Sequence, residues 1–475
     1  MPISSTFQPS RQHEDLGDDF YDIVAPAQFP QHMLRYRNQR WAARVGLDGL
    51  TDKEWIGHFS DFKPLPGSLE RPLALRYHGH QFRTYNPHLG DGRGFLLAQM
   101  RDLEDGRLLD LGTKGSGQTP WSRHADGRLT LKGGVREILA TEMLEALGVE
   151  TSKSFSLIET GEELERGDEP SPTRSSVLVR LNHSHIRIGT FQRLRYLDEI
   201  QNIGKLLDYT IQTYMPDTWR PTAEDRAVAF LEEVCRRVAR MGAQWMAAGF
   251  VHGVLNTDNI NVTGESFDYG PWRFLPVYDP AFTAAYFDET GLYAFGRQPD
   301  ALLWNLYRLA ECLLPLAEQS KLEAALGIFE PALHEEFPKT ILQRLGLRSN
   351  GQERDGTLAR ALWTFLHESR APFEQTFFDW FGGLASDERV KQSPSAQIYD
   401  HPAFTPIRSA LEGYEPAIKT AIEHPYFARP TPCTMLIEEV EALWEPIARA
   451  DDWSIFIRKL QDINLMADAY RRTAL

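Results

Sequence analysis

The chain has 475 residues, 42% hydrophobic and 25% charged, the balance of an ordinary globular protein with room for roughly two to three packing units. The 66 acidic residues outnumber the 51 basic ones, and the net charge of −15 argues against a nucleic-acid partner; no apolar run is long enough to span a bilayer. The polar, acidic start from Met1 to Asp19 is unlike a signal or transit peptide, and Cys235, Cys312 and Cys433 stand far apart without metal-ligand spacing, so a reducing, cytoplasmic setting is expected.

Taken in order, residues 1–60 read as an N-terminal extension with aromatic anchors at Phe20, Tyr21, Trp41 and Trp55, set off by the proline-rich Lys63-Pro64-Leu65-Pro66-Gly67. Residues 61–200 read as a strand-rich lobe. Gly94 to Gln99 and Leu108 to Gly112 form a hairpin across Glu104-Asp105-Gly106-Arg107, and Ser176 to Leu181 is a further strand. Ile138, Leu139, Met143 and Leu147 recur at helical spacing between Val135 and Leu147, with Gly148 as the stop. The polar stretch from Gly161 to Thr173 reads as an exposed loop. Residues 201–428 turn helical: Ala227, Leu231, Val234, Val238, Met241 and Trp245 mark a long amphipathic helix ending near Gly249, and Leu302, Leu306, Leu309 and Leu313 mark a second. Helical segments follow at 355–384 and 434–449, and Arg429-Pro430-Thr431-Pro432 sets off a helical extension over 429–475. Strands first and helices second predict an α+β protein of two lobes, with a nucleotide cleft between them.

The first helix runs into His252-Gly253-Val254-Leu255-Asn256-Thr257-Asp258-Asn259, which is followed by Asp268-Tyr269-Gly270. His252 and Asn259 have the spacing of the H-R-D-x-x-x-x-N loop of protein kinases, and Asp268-Tyr269-Gly270 stands where D-F-G would. An amide oxygen and a carboxylate suit magnesium on ATP phosphates. The position of the kinase base is Val254, which accepts no proton, and Asp258 is the nearest carboxylate to replace it. Gly90-Asp91-Gly92-Arg93-Gly94 opens a strand as a turn that brings backbone N–H groups near phosphate, or simply as a hairpin turn. Lys114 follows a strand and Glu137 sits early in the next helix, the order of the kinase lysine and its glutamate; a solvated lysine and a helix-start carboxylate are the plainer accounts. Asp126-Gly127-Arg128 reads as a tight polar turn. Arg180 and Arg187 flank Asn182-His183-Ser184-His185, as surface charge or as phosphate ligands. The pairs His78/His80 and His183/His185 have H-x-H spacing, but no third metal ligand is close in sequence. Neither a Walker A motif nor a dinucleotide G-x-G-x-x-G opening a helix is present.

Together these stretches resemble the selenoprotein O family, the kinase-fold protein adenylyltransferases. The resemblance runs from about Tyr77 to Leu313 and rests on Tyr77-His78-Gly79-His80-Gln81-Phe82, Leu89 to Gly94, Lys114-Gly115-Ser116-Gly117-Gln118-Thr119-Pro120-Trp121-Ser122-Arg123, His252 to Asn259 and Asp268-Tyr269-Gly270-Pro271. It implies ATP bound in a flipped orientation and AMP transferred to protein hydroxyls. By resemblance, Gly90, Gly92, Arg93, Asp126 and Gly127 contact the nucleotide, and Lys114, steadied by Glu137, binds the phosphates with Arg180 and Arg187. Asn259 and Asp268 hold magnesium, with manganese as the alternative ion, Asp268 also touching the nucleotide, and Asp258 is the proton acceptor. The chain departs from the family at its end: Cys433 stands alone, the terminal Cys-x-x-Cys or Cys-x-x-selenocysteine pair is missing, and no Asn-Pro-containing segment occurs in the last fifty residues.

The expectation is therefore a monomeric, magnesium-dependent adenylyltransferase acting on Ser, Thr or Tyr of proteins. Two rivals stay open at this point. One is a kinase that transfers the γ-phosphoryl group to a protein or small molecule; the other is a silent pseudokinase scaffold that binds ATP.

Overall fold

The computed structural model describes residues 3–167 and 169–471; residues 472–475, part of the tail without a redox pair, lie outside them. Among the described residues the N-terminal lobe is built on a nine-stranded sheet. Its order is Tyr21–Ile23, Leu73–Leu75, Leu96–Arg101, Leu108–Lys114, Thr173–Asn182, Lys153–Leu164 and Met33–Arg37, with Pro9–Ser10 beside Leu96–Arg101 and Leu129–Thr130 beside Thr173–Asn182. The expected hairpin is present as Leu96–Arg101 paired with Leu108–Lys114. The expected loop at 161–173 is shorter than predicted. The ladder continues to Glu163↔Arg174 and Leu164↔Thr173 beyond a bulge, and ion pairs of Arg128 with Glu162 and of Arg174 with Glu159 hold its polar end.

The first sixty residues are not an extension. They supply three strands to the sheet and bury Trp41, Trp55 and Phe59 against its outer face. Trp55 stacks on Phe155 at 4.9 Å and donates its indole N–H to Ser156 Oγ at 2.8 Å. Strands of two to five residues are too short to show a hydrophobic period, which is why the sequence pattern hides them. The tail is likewise docked. The Ser454–Arg471 helix lies along the Leu131–Ala146 helix, and Asp451 pairs with Arg35 at 3.0 Å and Arg174 at 2.7 Å on the N-terminal sheet.

Thr130 caps the Leu131–Ala146 helix by accepting from Gly133 N at 3.1 Å, and the helix packs across the two longest strands. In the second lobe the Ala223–Ala248 helix is central, touching Gln298–Leu313, Gln319–Leu326 and Phe329–Arg344. Thr222 caps its start, and Gly249, in the left-handed region at φ 64°, ends it. The chain then enters Phe250–Val251, which pairs with Arg273–Phe274; this two-stranded ribbon brackets the loop that carries the proposed chemistry. The Ile188–Tyr196 helix packs on Gln298–Leu313. No described helix is long and apolar enough to cross a membrane.

All three cysteines are buried, and burial pushes the Cys235 and Cys433 thiols up to about 12 and the Cys312 thiol higher still. Scarce thiolate and lost access both slow oxidation. Activity is therefore expected to change little in dithiothreitol or mild peroxide; a large reversible redox response that persists in Cys433→Ser would contradict this.

Candidate active site

The last strand residue before the Gly115 turn is Lys114, and its ammonium points into the space between the lobes. Lys114 Nζ donates to Glu137 Oε2 at 2.6 Å and to Asp268 Oδ1 at 2.9 Å. Arg180, on the neighbouring strand, donates from Nη1 to Glu137 Oε1 at 3.1 Å and to the same Asp268 oxygen at 3.0 Å. Two cations and two carboxylates thus form one closed network joining the sheet, the Leu131–Ala146 helix and the loop of the second lobe. Burial works to raise the Asp268 carboxyl, but the charges of Lys114, Arg180 and Arg187 outweigh it and hold the group well below its usual value. The plainer accounts of Lys114 and Glu137 are excluded, since both are more than nine-tenths buried.

Asp258 lies in the short 3-10 turn Thr257–Asn259 and is 8% exposed. Its Oδ1 has no hydrogen-bond partner among the described residues. Burial pushes the carboxyl up to about 7, against the pull of Arg187. Space around it is tight: a Cβ on Gly79 would stand 2.9 Å from Asp258 Oδ1. Asn259 donates from Nδ2 to Val254 O at 3.1 Å, which leaves its amide oxygen for another partner. His252 Nε2 lies 3.0 Å from Phe267 O and ties the two halves of the loop. Arg187 is held between rings, its Cζ 4.2 Å from the Tyr77 centroid and 5.1 Å from that of Phe267, with Asp91 Oδ1 at 3.4 Å.

A cleft of about 420 Å³ brings together Gly90, Gly92, Arg93, Lys114, Arg180, Arg187, Asp258, Asn259 and Asp268, with Val254 on its wall. Glu137 stands behind Lys114 and does not line it. Asp126 and Gly127 stand apart from the set. Ala125 borders the cleft, while Asp126 lies on an adjoining groove and pairs with Arg166 at 2.8 Å. Gly90 is required for close packing, since a Cβ there would fall 2.4 Å from the Trp121 ring.

Several residues with no role assigned from sequence also build the site. Tyr77 stacks on Arg187, Asp91 anchors it, and Arg123 stands at the mouth. The hairpin Gly79–Gln81/Thr84–Asn86 grips the loop: His80 N donates to Thr257 Oγ1 at 2.7 Å and Phe82 N to Asn256 Oδ1 at 3.0 Å. The signal was the Tyr77-to-Phe82 run itself, which marks a conspicuous motif but not its contacts. The H-x-H histidines are spent on packing: His78 Nδ1 meets Tyr85 Oη at 2.8 Å, His80 Nδ1 meets Gln192 at 2.8 Å, and His185 pairs with Asp110 at 3.3 Å. Among the described residues no three or more His, Cys, Asp or Glu side chains form a metal cage.

A strand lysine clamped by a helix glutamate, facing an asparagine and an aspartate on the loop of a helical lobe, defines a cleft of the protein-kinase-like class. The sequence comparisons narrow that class. A family model described as Protein adenylyltransferase SelO matches residues 3–464. A protein nucleotidyltransferase YdiU of Trichormus variabilis is 44% identical over 97% of this chain and 96% of its own length; that of Synechocystis sp. is 44% identical over 97% and 99%. This chain belongs to the SelO family. A solved structure of ROP2 from Toxoplasma gondii, described as having a protein-kinase fold and no enzymatic activity, covers 62% of this chain and 83% of its own at 11% identity and a TM-score of 0.24, too distant to bear on function.

Proposed function

We propose that this chain transfers AMP from ATP to Ser, Thr or Tyr hydroxyls of other proteins and releases pyrophosphate, acting as a monomer. The observation that carries the reading is the Asp258 carboxylate, whose Oδ1 has no hydrogen-bond partner among the described residues, in the same cleft as Lys114, Arg180, Arg187 and Asp268. The acceptor oxygen bonds to the α-phosphorus, the bond from that phosphorus to the pyrophosphate oxygen breaks, and the hydroxyl proton passes to Asp258. Lys114, Arg180 and Arg187 are buried, whereas Arg93 and Arg123 are exposed at the mouth. A charged inner end suits phosphates and not an adenine ring, which supports a nucleotide that enters phosphates first, the flipped orientation. The donors fit magnesium: among the described residues the Asn259 amide oxygen is uncommitted, and Lys114 and Arg180 both engage the same single oxygen of Asp268. When bound, magnesium or manganese would neutralise phosphate charge there.

The test is incubation with acceptor protein and ATP labelled separately at the α and γ phosphates. Protein-bound α label is the expected result. Transfer of γ label would make the chain a kinase, and transfer of neither would make it a nucleotide-binding scaffold.

A further inference from the structure

The hairpin that grips the catalytic loop ends in an unusual turn. Gln81 pairs with Thr84, so the turn residues are Phe82 and Arg83, both in the left-handed region at φ 49° and 65°. Asn-Gly is the pair such a turn favours, and bulky side chains held there point to a use for them. The Phe82 ring lies 5.8 Å from that of Phe287, and Phe287 lies 5.1 Å from Tyr286. Tyr286 is 85% exposed and Phe287 48%. Arg83 is exposed, with Cζ 5.6 Å from the Trp304 ring, and forms no ion pair among the described residues. Arg93 and Arg123, exposed at the cleft mouth, form none there either. These cations stand out on a chain of net charge −15, and Asp288 is folded inward, accepting from Leu292 N and Tyr293 N at 2.8 Å. This ledge is joined rigidly to the base, because Phe82 N and Tyr293 Oη both donate to Asn256 Oδ1, two residues before Asp258.

We propose that Phe82, Arg83, Tyr286 and Phe287 form the docking ledge for the acceptor polypeptide. It takes an extended segment with an aromatic or aliphatic side chain beside the hydroxyl residue and a carboxylate facing Arg83. Two observations select this occupant: the ledge is continuous with the loop that carries Asp258, which the hydroxyl must reach, and its free cation is complementary to an acidic segment. The proposal rests on the adenylyltransferase reading.

The test uses two short synthetic peptides, each with one serine between phenylalanines, one flanked by glutamates and the other by lysines, together with β-casein. The wild type is expected to prefer the glutamate peptide in kcat/KM. Arg83→Ala should abolish that preference, and Tyr286→Ala combined with Phe287→Ala should raise KM for both peptides and casein at least about fivefold. Binding of labelled ATP should be unchanged. Tyr286→Ala alone, at a highly exposed position, serves if the double variant does not fold. Wild-type KM in the ledge variants, or a preference for the lysine peptide, overturns the ledge. So does a concentration-dependent dimer in sedimentation that the variants lose, since a second copy would then be the occupant. Absence of α-label transfer by the wild type to all three acceptors is a different result: it overturns the adenylyltransferase reading, and the ledge with it.

Discussion

Asp258→Ala is expected to lower AMP transfer by ~10²–10⁴-fold, the usual worth of a general base, while ATP binds nearly as in the wild type. The phosphate contacts proposed for Lys114, Arg180 and Arg187 would not pass through the Asp258 side chain; the hydrogen bond between Asp258 and Arg187 runs to the Asp258 backbone oxygen, at 3.4 Å. The melting temperature should not fall. Burial disfavours the Asp258 carboxyl more than Arg187 favours it, and its Oδ1 has no partner among the described residues, so its removal should be neutral or favourable. A structural role for Asp258 would appear as a joint loss of thermal stability and ATP affinity. Val254→Asp in the alanine background restores a carboxylate at the kinase position, on the wall of the same cleft. No rescue is expected if the nucleotide is flipped as proposed, because its α-phosphorus would then lie elsewhere. The three proteins should be compared by α-label transfer, ATP binding and melting temperature. Near-wild-type transfer by Asp258→Ala, or full rescue with γ-label transfer, removes the case for a displaced base.

Lys114→Met should cost on the order of 3 kcal/mol of transition-state stabilisation, about a hundredfold in kcat/KM. The ammonium donates to both Glu137 and Asp268 and lines the cleft where the phosphates are proposed to lie. The fold should survive, since Arg180 still bridges the same two carboxylates. Glu137→Gln provides the contrast. Glu137 lies behind Lys114 and outside the cleft, so its effect should be smaller and should act by misplacing the ammonium. An unchanged kcat/KM in Lys114→Met, measured by α-label transfer, would show that the lysine does not touch the reacting phosphates.

Features that live within one short stretch of chain could be read from the amino acids alone. The spacing of His252 and Asn259, the aliphatic Val254 and the carboxylate at Asp258 are local facts, and a loop of that length has few ways to arrange them. The helix stop at Gly249 and the hairpin at 96–114 were legible for the same reason, because period and turn chemistry act between near neighbours. Features that depend on distant pairs emerge only from the folded chain. Chain order predicted that Lys114 meets Glu137, but the shared oxygen of Asp268 and the second cation, Arg180, come from strand pairing and lobe closure across 154 and 88 residues. The hold of His80 on Thr257 spans 177 residues, and no periodicity reports it. The first sixty residues and the last forty were the least legible. Edge strands of a few residues and a docked amphipathic helix acquire their identity only from the surface they cover, so the lobe they complete becomes visible only once the chain has folded.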